Sequence, residues 1–187
     1  MEFQKLLKKI AEILEGLKID YCVTGGFAVS VWGRPRSTFD IDVIVQLKAE
    51  NIPPLIKNLR RLSAAGYIEE SAVKEAVSRG GEFNFIHPES GIKVDFWAVK
   101  ENDAVGKSEL KRKIGKNLDG QKIYFISPED LILSKLRWFK ESESNRHLED
   151  IKSILKISGK KINSDYLESE AKKQNNADIL VNLMNEI

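Results

Sequence analysis

The segment "FDIDVIVQL" at 39–47 constrains the fold more than any other part of the chain. Apolar and acidic side chains alternate, so Phe39, Ile41, Val43, Val45 and Leu47 take one face of an extended segment while Asp40 and Asp42 take the other. That pattern predicts a strand with one face in a core. It also sets two carboxylates roughly 6.5 Å apart on the same face. Aspartate is depleted in strands and neighbouring like charges destabilise one another, so the arrangement needs something else to make it tolerable.

Separated from Asp40 by thirteen residues stands a glycine pair, Gly25-Gly26, at the end of "DYCVTG", a strand predicted over 20–25. "FAVSVW" after it reads as a short apolar helix, and Gly33-Arg34-Pro35-Arg36 as a loop. Glycines at a strand-to-helix turn let backbone N–H groups approach an anion closely, and the helix N-terminus adds a favourable dipole. Two readings answer the repulsion between the aspartates: solvent-face carboxylates on a half-exposed sheet, or two hard divalent cations held between them. Mg²⁺ takes carboxylate oxygens and substrate phosphates, and one carboxylate can bridge two metals. A third carboxylate, Asp95, lies in "GIKVDFWAV", where Lys93, Asp95, Trp97 and Val99 share a face opposite Ile92, Val94, Phe96 and Ala98.

The remaining elements follow from period and punctuation. "EFQKLLKKIAEILEGL" is an amphipathic helix ending near Gly16, 52–65 a second with Pro53 and Pro54 in its first turn, and 70–78 a weaker third. Residues 81–99 read as a hairpin turning at Pro88-Glu89-Ser90-Gly91. After a strand at 122–126, "SPEDLILSKLRWF" begins a helix with Ser127 as cap, Pro128 in the first turn and Asp130 at the capping-box position. Helical patterns run on to 187 with breaks near Ser158-Gly159 and 174–177. The order is that of an α/β or α+β domain with a helical carboxyl-terminal region.

A length of 187 residues allows one substantial core. The longest apolar runs fall short of the roughly 18 to 20 residues that cross a bilayer, and the amino terminus lacks a signal-peptide core, so a cytoplasmic protein without membrane attachment is expected. A single cysteine, Cys22, excludes an intramolecular disulfide and a Cys-rich zinc site. Net charge is +2, too small to mark a nucleic-acid binder, although Lys and Arg concentrate at 107–122 and 135–147.

Thr24-Gly25-Gly26, a thirteen-residue gap and Asp40-Ile41-Asp42-Val43 resemble the signature of the nucleotidyltransferase superfamily related to DNA polymerase β. With "KVDFW", "SPEDLILSKLRWF" and "RHLEDI", the layout over about residues 5–157 is most similar to small prokaryotic members: AbiEii-type toxins, uncharacterised nucleotidyltransferases and, more distantly, lincosamide and aminoglycoside nucleotidyltransferases. The resemblance implies a mixed central sheet flanked by helices, with a catalytic core at 1–126 and a helical region at 127–187 packed on it. It further implies that Asp40, Asp42 and Asp95 hold two Mg²⁺ ions, with Mn²⁺ as an alternative, and that Asp95 acts as or orients the base. Gly25 and Gly26 would position the phosphates of a nucleoside triphosphate such as ATP. Arg36 and Thr38, in the loop before the strand, would contact phosphate, since Arg presents a fork of donors matched to phosphate oxygens. Lys135 would point to the triphosphate. Arg137, two residues on, diverges from it.

In-line attack by an acceptor hydroxyl would then release pyrophosphate. The acceptor class stays open among RNA such as tRNA, a protein side chain and a small molecule, and a cognate antitoxin is an expected partner if the chain is a toxin. Two other readings stand beside this one: a non-catalytic nucleotide- or partner-binding module of the same fold, and a nucleic-acid binder without catalysis. Arg146, Glu149 and Asp150 are read as a surface ion-pair set, His87 and His147 as structural, and Trp97 as packing or a base-stacking surface.

Overall fold

The structure, a computed structural model, describes residues 2–187. The chain forms two compact units, Met1–Gly26 with Ser37–Ile126, and Phe27–Arg36 with Ser127–Ile187.

The first unit is built on a seven-stranded mixed sheet. Its strands are β1 (Asp20–Val23), β2 (Asp40–Gln46), β3 (Tyr67–Ile68), β4 (Gly81–His87), β5 (Ile92–Ala98), β6 (Ile114–Leu118) and β7 (Gln121–Phe125), in the order β3-β4-β5-β2-β1-β7-β6. β2 runs parallel to β5 and β1 parallel to β7, while the other neighbours are antiparallel. The alternation in β2 does what its pattern demands: Ile41, Val43 and Val45 are fully buried and Asp40 and Asp42 are half-buried on the other face. Val94, Phe96, Phe83 and Phe85 from the hairpin complete this part of the core, with the Phe83 and Phe96 rings stacked at 4.9 Å.

The strand starts one residue later than expected. Phe39 precedes β2 and is 80% exposed instead of sharing the buried face with Ile41. The alternation fails there because a residue outside the ladder has no pleat to fix its direction. Helices α1 (Glu2–Gly16), α3 (Ile52–Leu62), α4 (Glu70–Arg79) and α5 (Ala104–Lys111) also belong to this unit, and α1 buries Leu7, Ile10 and Leu14. β3, α5 and β6 were not foreseen. β6 lies inside the basic segment 107–122, whose lysines hide its short extended run.

The second unit comprises most of α2 (Gly25–Trp32), then α6 (Pro128–Ser142), α7 (Asn145–Ser158), α8 (Ser164–Lys173) and α9 (Ala177–Asn185). Ser127 caps α6: the Asp130 backbone N–H donates to its Oγ at 3.1 Å, and the Ser127 hydroxyl donates to Asp130 Oδ2 at 2.8 Å. The Tyr166 hydroxyl of α8 donates to the other oxygen of Asp130 at 2.7 Å. Non-local bonds tie the 27–36 segment to α7. Arg34 N–H donates to Ser153 Oγ at 2.5 Å, the Ser158 hydroxyl donates to the Trp32 carbonyl at 2.5 Å, and Gly33 lies so close to Ser153 that a Cβ there would come within 2.6 Å of its Oγ. Among the described residues no helix is long and apolar enough to cross a membrane.

Candidate active site

Register brings the acidic residues of the first unit together. Asp42 of β2 stands opposite Asp95 of β5, and Asp40 opposite Lys93. On the other side of β5, antiparallel β4 sets Asn84 opposite Asp95 and Glu82 opposite Trp97. Directly opposed residues on neighbouring strands share a face, so Asp40, Asp42, Glu82, Lys93 and Asp95 converge on one surface of the sheet.

Gly25 closes this surface from the turn after β1. Its φ is +62°, in the left-handed region, and a Cβ on it would fall 1.8 Å from Asp42 Oδ2. Only glycine satisfies both constraints, so its backbone lies directly against the carboxylate. The Thr24 N–H donates to the Asp42 carbonyl at 2.9 Å and holds the turn there. Gly25 and Gly26 themselves form the start of α2. Thr38 Oγ1 donates to the Asp40 carbonyl at 3.3 Å, fixing the entrance to β2.

Asp95 is 5% exposed. Lys93 Nζ lies 2.8 Å from its Oδ2, whereas its Oδ1 is buried with no hydrogen-bond partner. A buried carboxylate oxygen without a donor is costly unless something else satisfies it. The proton equilibria of the neighbours reflect the crowding. Partial desolvation, then the hydrogen-bonded contact with Asp95 and its charge, push the Glu82 carboxyl up, and the hydrogen bond to Asp95 is the largest cause raising the Lys93 ammonium.

These features fit a hard divalent cation. The donors are carboxylate oxygens, and one of them is buried and unsatisfied. Among the described residues no three His, Cys, Asp or Glu side chains are gathered as a ready-made metal cluster.

In the second unit another carboxylate is buried. Asp150 is 4% exposed and accepts from Arg36 Nε at 2.9 Å and Nη2 at 3.1 Å, with Lys135 Nζ at 3.2 Å. Lys135 is 7% exposed, and the Arg36 N–H is pinned by Ser30 Oγ at 3.1 Å. The expectation of a surface ion-pair set at Asp150 is therefore corrected: α7 turns this aspartate inward, where a fork-shaped Arg pair compensates it. Arg137 diverges from Lys135 as the helix period demands and donates to Gln174 at 3.2 Å. Burial, with the Lys135 charge next, holds the His147 imidazole below its ordinary range.

Sequence reasoning missed Glu82, Lys93 and Asp150 as members of these clusters. The parity of "GEFNF" against "IKVDFWA" carries the signal for the first two, because any hairpin turning at 88–91 puts Glu82 and Lys93 on the Asp95 face. For Asp150 no local signal exists.

The model of the family described as "Nucleotidyl transferase AbiEii toxin, Type IV TA system" matches residues 11–183, well beyond position 157, where the resemblance seen in the sequence stops. Solved structures share the fold. ANT(2")-Ia, determined in complex with adenylyl-2"-tobramycin, is 15% identical with a TM-score of 0.66 over 94% of this chain and 99% of that one. The lincosamide antibiotic adenylyltransferase LnuA, lincomycin-bound, is 21% identical with a TM-score of 0.53 over 78% and 92%. An antigenic nucleotidyltransferase-like protein from Paracoccidioides brasiliensis is 20% identical with a TM-score of 0.53 over 82% and 73%. No curated protein matches the chain in sequence. With the family matched over nearly its whole length and the mixed sheet carrying paired aspartates beside a glycine turn, the chain belongs to the AbiEii nucleotidyl transferase family.

Proposed function

We propose that this nucleotidyltransferase moves a nucleoside monophosphate from a nucleoside triphosphate to an acceptor hydroxyl in a reaction dependent on Mg²⁺. The observation that carries the reading is the pairing of Asp42 with Asp95 across parallel strands, with one Asp95 oxygen buried and unsatisfied. Asp40, Asp42 and Asp95 are the residues to hold the metal, and when bound it supplies charge neutralisation at the triphosphate and at the attacking oxygen.

The chain's own groups divide the remaining tasks. Gly25 and Gly26, at the start of α2, offer backbone N–H groups to phosphate where the helix dipole favours negative charge. Arg36 and Lys135, the cations that the sequence resemblance assigns to phosphate, are each held in a fixed direction by Asp150 within the second unit. The acceptor oxygen attacks the α-phosphorus, the bond between that phosphorus and the bridging oxygen breaks, and pyrophosphate leaves. The hydroxyl proton moves to a carboxylate oxygen of Asp95.

An RNA such as tRNA is the acceptor class favoured by the lysines at 107–122, and the type IV toxin–antitoxin description of the family supports a cognate antitoxin as partner. The two antibiotic-modifying neighbours keep a small-molecule hydroxyl in view. The test is to incubate the protein with Mg²⁺ and each ribonucleoside triphosphate labelled at the α-phosphorus, together with total RNA, total protein or a small-molecule extract. Label should enter one acceptor pool with wild type and not with Asp95→Asn. No labelling in any pool would instead support the non-catalytic module, and equal labelling by both proteins would remove Asp95 from the chemistry.

A further inference from the structure

Lys93 has no assigned task in the reaction just proposed, yet it is the cation nearest to the carboxylate surface. It stands opposite Asp40 in the β2–β5 register and two residues before Asp95 on the same face, with its Nζ 2.8 Å from Asp95 Oδ2. Asp40 and Glu82 lie within electrostatic reach of the same ammonium. Three carboxylates therefore act on one lysine. Removing that positive charge from a metal-free chain would leave Asp40, Asp42, Glu82 and Asp95 opposed.

We propose that Lys93 is the built-in counter-ion of the metal-free site, holding Asp95 by one oxygen until a divalent cation displaces it. The inference rests on the metal reading above and deepens it. One observation besides the acidic cluster supports it. Asp95 keeps its second oxygen buried and unpartnered, which is the state of a ligand held ready but unused. A lysine can do this reversibly. Its long stem lets the charged end swing out to water, and its side chain is 42% exposed. An arginine fork would hold more rigidly.

This role differs from that of a residue that orients Asp95 for the metal, and the two predict opposite effects. If Lys93 competes, its loss tightens metal binding. If it orients, its loss weakens binding. The experiment is a Mn²⁺ titration followed by electron paramagnetic resonance on full-length wild type, Lys93→Met, Lys93→Arg and Asp95→Asn, with thermal unfolding of each metal-free protein. Lys93→Met should bind Mn²⁺ roughly two- to fivefold more tightly than wild type, the gain expected from releasing a partly exposed ion pair. Its metal-free Tm should fall, and Mn²⁺ should restore it. Lys93→Arg keeps the charge and should bind no more tightly than wild type.

Unchanged or weaker Mn²⁺ binding by Lys93→Met overturns the counter-ion role. Lys93→Gln repeats the neutral substitution should the methionine variant not fold. Failure of the underlying metal reading looks different: Asp95→Asn would then leave Mn²⁺ binding as in wild type.

Discussion

Replacing Gly25 by alanine puts a methyl group where Asp42 already stands. Two costs can be separated. The backbone is at φ +62°, which disfavours an L-residue by roughly 1–2 kcal/mol. The new Cβ would also fall 1.8 Å from Asp42 Oδ2 and 2.8 Å from its Cβ, so the aspartate must leave its rotamer at about 0.5–1.5 kcal/mol. The sum, about 1.5–3.5 kcal/mol, corresponds to a Tm fall of roughly 3–14 °C for a chain of this size. The assay is thermal unfolding of Gly25→Ala, Asp42→Ala and the double variant, read as a double-mutant cycle. Removing the Asp42 carboxylate should return the rotamer part, about 0.5–1.5 kcal/mol, and leave the backbone part together with the contact at 2.8 Å to the Cβ that alanine keeps. A Gly25→Ala protein as stable as wild type, or a cycle with no coupling, would refute the claim that this glycine exists to let backbone lie against the carboxylate.

Other perturbations separate structural from chemical roles. Asp150→Asn leaves Arg36 and Lys135 without their shared carboxylate and should cost about 2–3 kcal/mol in thermal or urea unfolding, less than a fully buried pair because Arg36 is partly exposed. His147 has a folded-state pKa below its unfolded one, so the unfolded chain takes up the proton first. Stability should be full above about pH 6.5 and decline as pH falls through that value toward the lower folded-state pKa; urea unfolding across pH 5–8 should show that slope in wild type and lose it in His147→Gln. Ser127→Ala removes the cap of α6 and should cost about 1 kcal/mol in the same assay, with no change in Mn²⁺ binding.

The parts of this molecule that were legible in the sequence are those where local period decides direction. Asp40 and Asp42 share a face because a strand alternates, and alternation in β5 puts Asp95 on the face of Lys93, while its meeting with Asp42 comes from the long-range parallel pairing of β2 with β5. Ser127, Pro128 and Asp130 announce α6 by chemistry confined to four residues. What could not be read depends on contacts across long separations. Asp150 lies on α7 as one charge among several, and only its meeting with Arg36, 114 residues away, makes it a buried anchor. The 27–36 segment joins the carboxyl-terminal helices through Ser153 and Ser158 for the same reason. Phe39 shows the limit of a periodic argument at an element's end, since alternation cannot say where the ladder stops. Lys93 stands beside the aspartates by register alone: it faces Asp40 across the β2–β5 pairing and ion-pairs with Asp95 at 2.8 Å.

The central claim is that Asp40, Asp42 and Asp95 form a working site for metal and triphosphate. Thermal unfolding of wild type and Asp42→Asn, with each of the four ribonucleoside triphosphates and with or without Mg²⁺, tests it without knowledge of the acceptor. Wild type should gain stability only when Mg²⁺ and a triphosphate are both present, by about 2.7 kcal/mol at a hundredfold excess over Kd. Asp42→Asn should show no such gain, while its metal-free Tm stays unchanged or rises slightly as repulsion is relieved. A wild type indifferent to all four triphosphates with Mg²⁺, or an Asp42→Asn protein that responds equally, would contradict the account.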